Sequence, residues 1–113
     1  MRTITIVMLP APDALTLLQR QAIVSGLPLF LQTQKHPSAA AVRALHRAVT
    51  SMDDLFEVTE DFDALNRAVA SRLCGAGDCV YVATGSIQNS QLPAIRQAAG
   101  ARGTAVRVLP YLT

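Results

Sequence analysis

The chain has 113 residues, 50% of them hydrophobic and only 16% charged, with a formal net charge of +2. That length suits one ordinary domain with a real core, and a charged share well under the usual ~25% predicts a covered face. Basic residues are scattered singly beside three Phe and two Tyr, which excludes the phosphate-neutralising and base-stacking signatures of nucleic-acid binding. No apolar run approaches the roughly 18 residues of a membrane span, so a soluble cytoplasmic protein is expected.

In chain order, Thr3 to Leu9 is β-branched and nearly continuous in apolar character, as a central parallel strand should be. Asp13 is expected to cap a helix to about Ser25, with Leu15, Leu18, Ala22 and Ile23 on the inward face, Gln19 and Arg20 pointing elsewhere, and Gly26 as the stop. Leu27 to Thr33 reads as a second strand. Pro37 and Ser38 begin a helix through His46, and Ala48-Val49-Thr50 is a short third strand. Glu60 and Asp61 put negative charge at the start of a helix running to Leu73, with Phe62, Leu65, Val69 and Leu73 inward. Asp78 to Ala83 is a fourth strand, Gln91 to Ala99 a helix and Thr104 to Leu109 a fifth strand. Strands alternating with helices predict an α/β fold: a five-stranded parallel sheet between two helical layers, formed by residues 1–113 as a single domain. In such a sheet, ligands sit outside the carboxyl ends of the strands.

The chemistry is sparse. The first strand-to-helix loop, Leu9-Pro10-Ala11-Pro12-Asp13, has two prolines where a nucleotide-binding loop needs glycines, and an anion where a phosphate would sit, which disfavours Rossmann and P-loop sites. Cys74 and Cys79 lack the ligand pairs of a zinc site and read as buried reduced thiols at a helix end and a strand start. The acidic set Asp53, Asp54, Glu57, Glu60, Asp61 and Asp63 lacks the interleaved glycine of a cation loop and reads as helix caps and a solvated face, so no metal is expected. His36 titrates near neutrality but has no acidic or nucleophilic neighbour in sequence, and no catalytic residue is assigned. The loop Thr84 to Gln91 offers polar side chains for a ribose or carboxylate. Alternatively it is a solvated loop in which Ser90 caps the next helix.

One longer pattern stands out. The strand Leu29-Phe30-Leu31 runs into Gln32-Thr33-Gln34-Lys35-His36-Pro37, and the acidic stretches Ser51-Met52-Asp53-Asp54-Leu55-Phe56-Glu57 and Glu60-Asp61-Phe62-Asp63-Ala64-Leu65 follow. In order and spacing this resembles the N-terminal half of the tetrapyrrole (corrin/porphyrin) methylase family, in the branch fused to MazG-type nucleoside triphosphate pyrophosphohydrolases. The resemblance spans about Ile4 to Pro110. It implies the strand order 3-2-4-1-5, half of an S-adenosylmethionine-dependent methyltransferase site, and a second α/β half needed for activity. It implies cofactor contacts at Thr84, Gly85 and Ser86, where Gly85 matches the family's Pro-Gly turn while Thr84 and Ser86 replace its flanking residues. It implies a substrate side at Pro10, Asp13 and His36, with Asp13 retained from a glycine-rich turn and His36-Pro37 recurring as a turn. The rival expectation is a non-catalytic binding or dimerisation module serving an attached pyrophosphohydrolase. In either case, apolar surface along Val108 to Leu112 predicts a homodimer or a missing covering domain.

Overall fold

The computed structural model describes residues 2–8, 16–35, 39–45, 48–58, 61–83 and 91–109. They form strands β1 (Thr3–Met8), β2 (Leu29–Leu31), β3 (Val49–Ser51), β4 (Cys79–Ala83) and β5 (Ala105–Leu109). Between them lie helices α1 (Leu17–Ile23), α2 (Ala39–Leu45), α3 (Asp53–Val58), α4 (Phe62–Ala76) and α5 (Gln91–Ala101). The sheet order is β3-β2-β4-β1-β5 and every described pairing is parallel, as expected.

Burial explains why the central strands read as unbroken apolar runs. Strands covered on both faces need apolar side chains at every position, and β4 is buried throughout. Alternate residues feed two cores. Ile4, Ile6, Met8, Tyr81 and Ala83 pack with Leu65, Val69 and Leu73 of α4 and with Ile95 and Ala99 of α5. Val7, Leu29, Leu31, Val80 and Val82 pack on the other face with Ile23 of α1 and with Ala39 and Val42 of α2. The connections therefore leave the neighbouring central strands in opposite directions across the sheet: β1 leads to α1 on one face and β4 to α5 on the other. Met8 and Ala83, at the carboxyl ends of these two strands, are register partners.

Helix α3 was not expected as a separate element, and two other helices differ from expectation. α1 starts at Leu17, and its N-cap is Thr16, not Asp13. Thr16 and Gln19 form a capping box: the Gln19 backbone N–H donates to Thr16 Oγ1 at 3.1 Å, and the Thr16 backbone N–H donates to Gln19 Oε1 at 3.1 Å. The inward face is rotated accordingly, so Gln19 is fully buried beside Ile23, while Leu18, expected inside, is 47% exposed. The second difference is Phe62, the first residue of α4, which is 79% exposed and not inward. Leu65, Val69 and Leu73 do face the core, and Asp61 caps the helix by accepting from the Asp63 N–H at 3.2 Å. At the other end of α4, Gly77 has φ +78°, a conformation that glycine adopts without strain. Cys74 and Cys79 are buried free thiols flanking this turn, as expected.

Candidate functional site

Among the described residues, the carboxyl edge of the sheet carries two arrangements. The first is a clamp across β1 and β5. The Gln19 side-chain amide donates through Nε2 to the carbonyl of Met8 at 2.8 Å and to the carbonyl of Leu109 at 2.9 Å. Those residues end adjacent parallel strands, 90 positions apart in sequence for Gln19 and Leu109. With Oε1 taken by Thr16, the amide is satisfied at both ends, which is what lets a fully buried polar side chain be tolerated. The clamp joins the start of α1 to the edge where ligands of such folds bind.

The second is a cleft of about 700 Å3 at the ends of β2 and β3, lined by Gln32, Thr33, Gln34, Lys35, Asp53, Phe56 and Glu57. Its frame is backbone. The Gln32 N–H donates to the carbonyl of Val82 at 2.9 Å, and the Met52 N–H donates to the carbonyl of Leu31 at 2.9 Å, continuing the parallel ladders past the strand ends. Met52 drops into the core with no exposure and fixes where α3 begins. Asp53 then holds the opposite segment: its Oδ2 accepts from the Gln34 N–H at 2.9 Å, while the Lys35 N–H donates to Thr33 Oγ1 at 3.2 Å. The Thr33 hydroxyl first, and then the Gln34 N–H, hold the Asp53 carboxyl below its ordinary pKa. The neighbouring carboxylate turns away from the cleft. Asp54 takes both guanidinium nitrogens of Arg72, at 2.8 and 2.7 Å, and so ties α3 to α4.

Farther along the same edge, the Tyr81 hydroxyl donates to Gln91 Oε1 at 2.7 Å, with both residues buried. This anchors the first residue of α5 to β4. Desolvation raises the Tyr81 hydroxyl pKa far above its ordinary value, so Tyr81 serves as a structural donor and stays neutral. Burial likewise pushes the Cys79 thiol up to about 12, with the nearby Cys74 and Asp78 adding to the effect. A thiol in that state is a poor nucleophile.

The residues singled out for a cofactor, Thr84, Gly85 and Ser86, and for a substrate, Pro10, Asp13 and His36, lie outside the described residues. So do Ser90 and the tail Pro110 to Thr113. The structure does place the strand ends that lead into two of these segments side by side, at Met8 and Ala83. The loop from Gln32 lies at a carboxyl strand end, where a site is expected, but Gln19 and the α3 side of the cleft, Asp53, Phe56 and Glu57, were not anticipated as site residues. The Thr16-x-x-Gln19 spacing is a capping-box signature and was open to view. Nothing in the sequence marks Lys35, Phe56 and Glu57 as neighbours of one cleft. Among the described residues, no group of three or more His, Cys, Asp or Glu is placed to hold a metal ion, and no helix is long and apolar enough to cross a membrane.

Neither the protein-family models nor the curated proteins contain a match to this chain.

Proposed function

We propose that this domain supplies half of an S-adenosylmethionine-dependent methyltransferase site, in the manner of the N-terminal half of tetrapyrrole methylases, and requires a second α/β half for activity. The observation that carries the proposal is the strand order 3-2-4-1-5, with its reversal between β1 and β4. A reversal of this kind opens a crevice at the carboxyl edge of an open parallel sheet, the usual ligand position in such folds. The chain enters Thr84-Gly85-Ser86 directly from Ala83, and Pro10 and Asp13 follow closely after Met8. The proposed cofactor and substrate groups therefore leave from neighbouring strands.

Calorimetric titration with S-adenosylmethionine and S-adenosylhomocysteine tests the proposal, paired with thermal shift. A ligand that binds only the native state stabilises it by about 2.7 kcal/mol at a hundredfold excess over Kd. Saturable binding that Gly85→Trp abolishes, while the unfolding temperature without ligand stays unchanged, is the expected result. No heat and no shift at millimolar ligand would remove the cofactor from the proposal.

One observation favours the rival, a non-catalytic binding or dimerisation module. The seven-residue helix α1 exposes Leu17 and Leu18, at 71% and 47%, and its C-cap Val24 is 51% exposed. If such a module is the function, sedimentation at tens of micromolar gives a dimer that Leu17→Glu disperses, with no response to S-adenosylmethionine.

A further inference from the structure

The cleft at the ends of β2 and β3 contains two opposite charges that form no ion pair among the described residues. The Lys35 ammonium and the Glu57 carboxylate both line it, yet they form no ion pair with each other or with another described residue. The ion pair found among the described residues is Arg72 with Asp54. Lys35 contributes only a weak field at Asp53, for which the Thr33 hydroxyl and the Gln34 N–H matter more. Asp53 itself is committed to holding the Gln34 backbone. Glu57 has no such partner among the described residues.

The two charges come from different segments. Lys35 lies on the stretch that continues β2, whereas Asp53, Phe56 and Glu57 share one face of α3 by their i, i+3 and i+4 spacing. Phe56, next to Glu57, is 38% exposed and offers ring surface in the same cleft. Amide and hydroxyl groups of Gln32, Thr33 and Gln34 complete the lining. A polycarboxylate is disfavoured here, because Asp53 and Glu57 outnumber Lys35. A simple amine answers Glu57 alone and leaves Lys35 facing only Asp53, whose carboxylate is already committed to the Gln34 N–H.

We propose that this cleft binds a small zwitterion of the α-amino-acid class that carries an apolar or aromatic group. Its carboxylate pairs with Lys35, its ammonium with Glu57, and its side group packs on the Phe56 ring. The volume of about 700 Å3 lies within the ordinary range of small-molecule sites and leaves room for an amino acid joined to a larger group. Charge-assisted hydrogen bonds at both ends select the zwitterion over either half of it, and the ring adds an offset-stacked or edge contact. The cleft lies at the ends of β2 and β3, whereas the crevice proposed for the cofactor lies at the ends of β4 and β1.

Calorimetric titration of the full chain with L-phenylalanine, L-methionine and L-leucine, each to ~10 mM, tests this, with 2-phenylethylamine and 3-phenylpropanoate as the two half-ligands of phenylalanine. At least one amino acid should bind saturably, and L-phenylalanine should bind about tenfold or more tighter than either half-ligand. Lys35→Met should weaken 3-phenylpropanoate and L-phenylalanine at least about fivefold and leave 2-phenylethylamine unchanged, and Glu57→Gln should do the reverse. Both positions are exposed, so unfolding temperatures should match the parent and show that the fold is intact. Gly85→Trp should leave amino-acid binding untouched, which separates this site from the cofactor site. Absence of saturable binding by all three amino acids would overturn the proposal. So would equal affinity for the zwitterion and its halves, or loss of the crossed pattern between the two variants.

Discussion

Replacing Gln19 with methionine keeps most of the buried volume and removes every polar contact of the side chain. The parent side chain makes two donor contacts, to Met8 and Leu109, and one acceptor contact, from Thr16. Each buried neutral bond is worth about 1 kcal/mol net, and half of a reciprocal cap about 0.5–1 kcal/mol, so the expected loss is about 3 kcal/mol. For 113 residues the unfolding entropy is about 0.24 kcal/mol/K, which converts that loss to a drop of about 12 °C in Tm. Gln19→Ala adds a cavity and should cost about 1–2 kcal/mol more. Gln19→Glu sets an ionised oxygen against two carbonyl oxygens, so the folded-state pKa of the new carboxyl must rise. The ionisation penalty is absent below the unfolded-state value near 4.3, where only the loss of one of the two donors remains. Above it, the penalty grows by about 1.4 kcal/mol per pH unit until the folded-state pKa is reached. Differential scanning calorimetry of the three variants between pH 4 and 8 checks this, with hydrogen exchange in β5 as the local probe. A methionine variant within about 3 °C of the parent, or a glutamate variant whose deficit does not depend on pH, would refute the clamp.

Asp53 has a lowered folded-state pKa. Its contribution is therefore fully present above the unfolded value, near 3.8, and is lost as pH falls through the folded value. Asp53→Asn should flatten the stability profile in that acid window in chemical unfolding, and a profile identical to the parent would count against the Thr33–Gln34–Asp53 contacts. Cys74 and Cys79 are buried, and Cys79 has its pKa pushed up to about 12, so a thiol reagent at pH 8 should label neither in the native state and both in denaturant. Rapid native labelling would show that the α4–β4 turn opens readily. Phe62→Glu should leave Tm unchanged, because the ring is 79% exposed, whereas Val69→Ala, about two turns further along the same helix, should cost about 1–3 kcal/mol by thermal denaturation.

The sheet was legible because its strands announce themselves. Ile4 to Val7 and Val80 to Ala83 need apolar side chains on both faces, and sequence records that need directly. Apart from α3, the helices were legible in existence and less so in facing. Periodicity gives an angular position around the axis, but it does not say how far along the axis a partner surface extends, and so Phe62 was placed inside with Leu65 and Val69. Gln19 was misplaced for a different reason. A polar side chain is assigned to water by default, and only the strand ends of Met8 and Leu109, distant in sequence, make its burial favourable. Asp53 and Asp54 illustrate the same limit at the cleft. Both read as cap or surface carboxylates, yet one fixes the Gln34 backbone and the other bridges to Arg72, and their separate duties depend on where α3 stands against β2 and α4.

The two faces of the sheet are unequally covered, and this bears on why a buried glutamine sits where it does. Among the described residues, one face has helices of 15 and 11 residues, whereas the other has two helices of seven. Short helices supply little apolar contact and are marginal by themselves, so their ends need specific fixation. A leucine at position 19 would bury well but hold neither strand end. The amide reaches two carbonyls and a backbone N–H at once, which fixes the entry of α1, the end of β1 and the end of β5 relative to one another. Polar satisfaction thus does at this corner what packing area does on the opposite face, and it does so at the edge of the sheet from which the proposed cofactor and substrate segments depart.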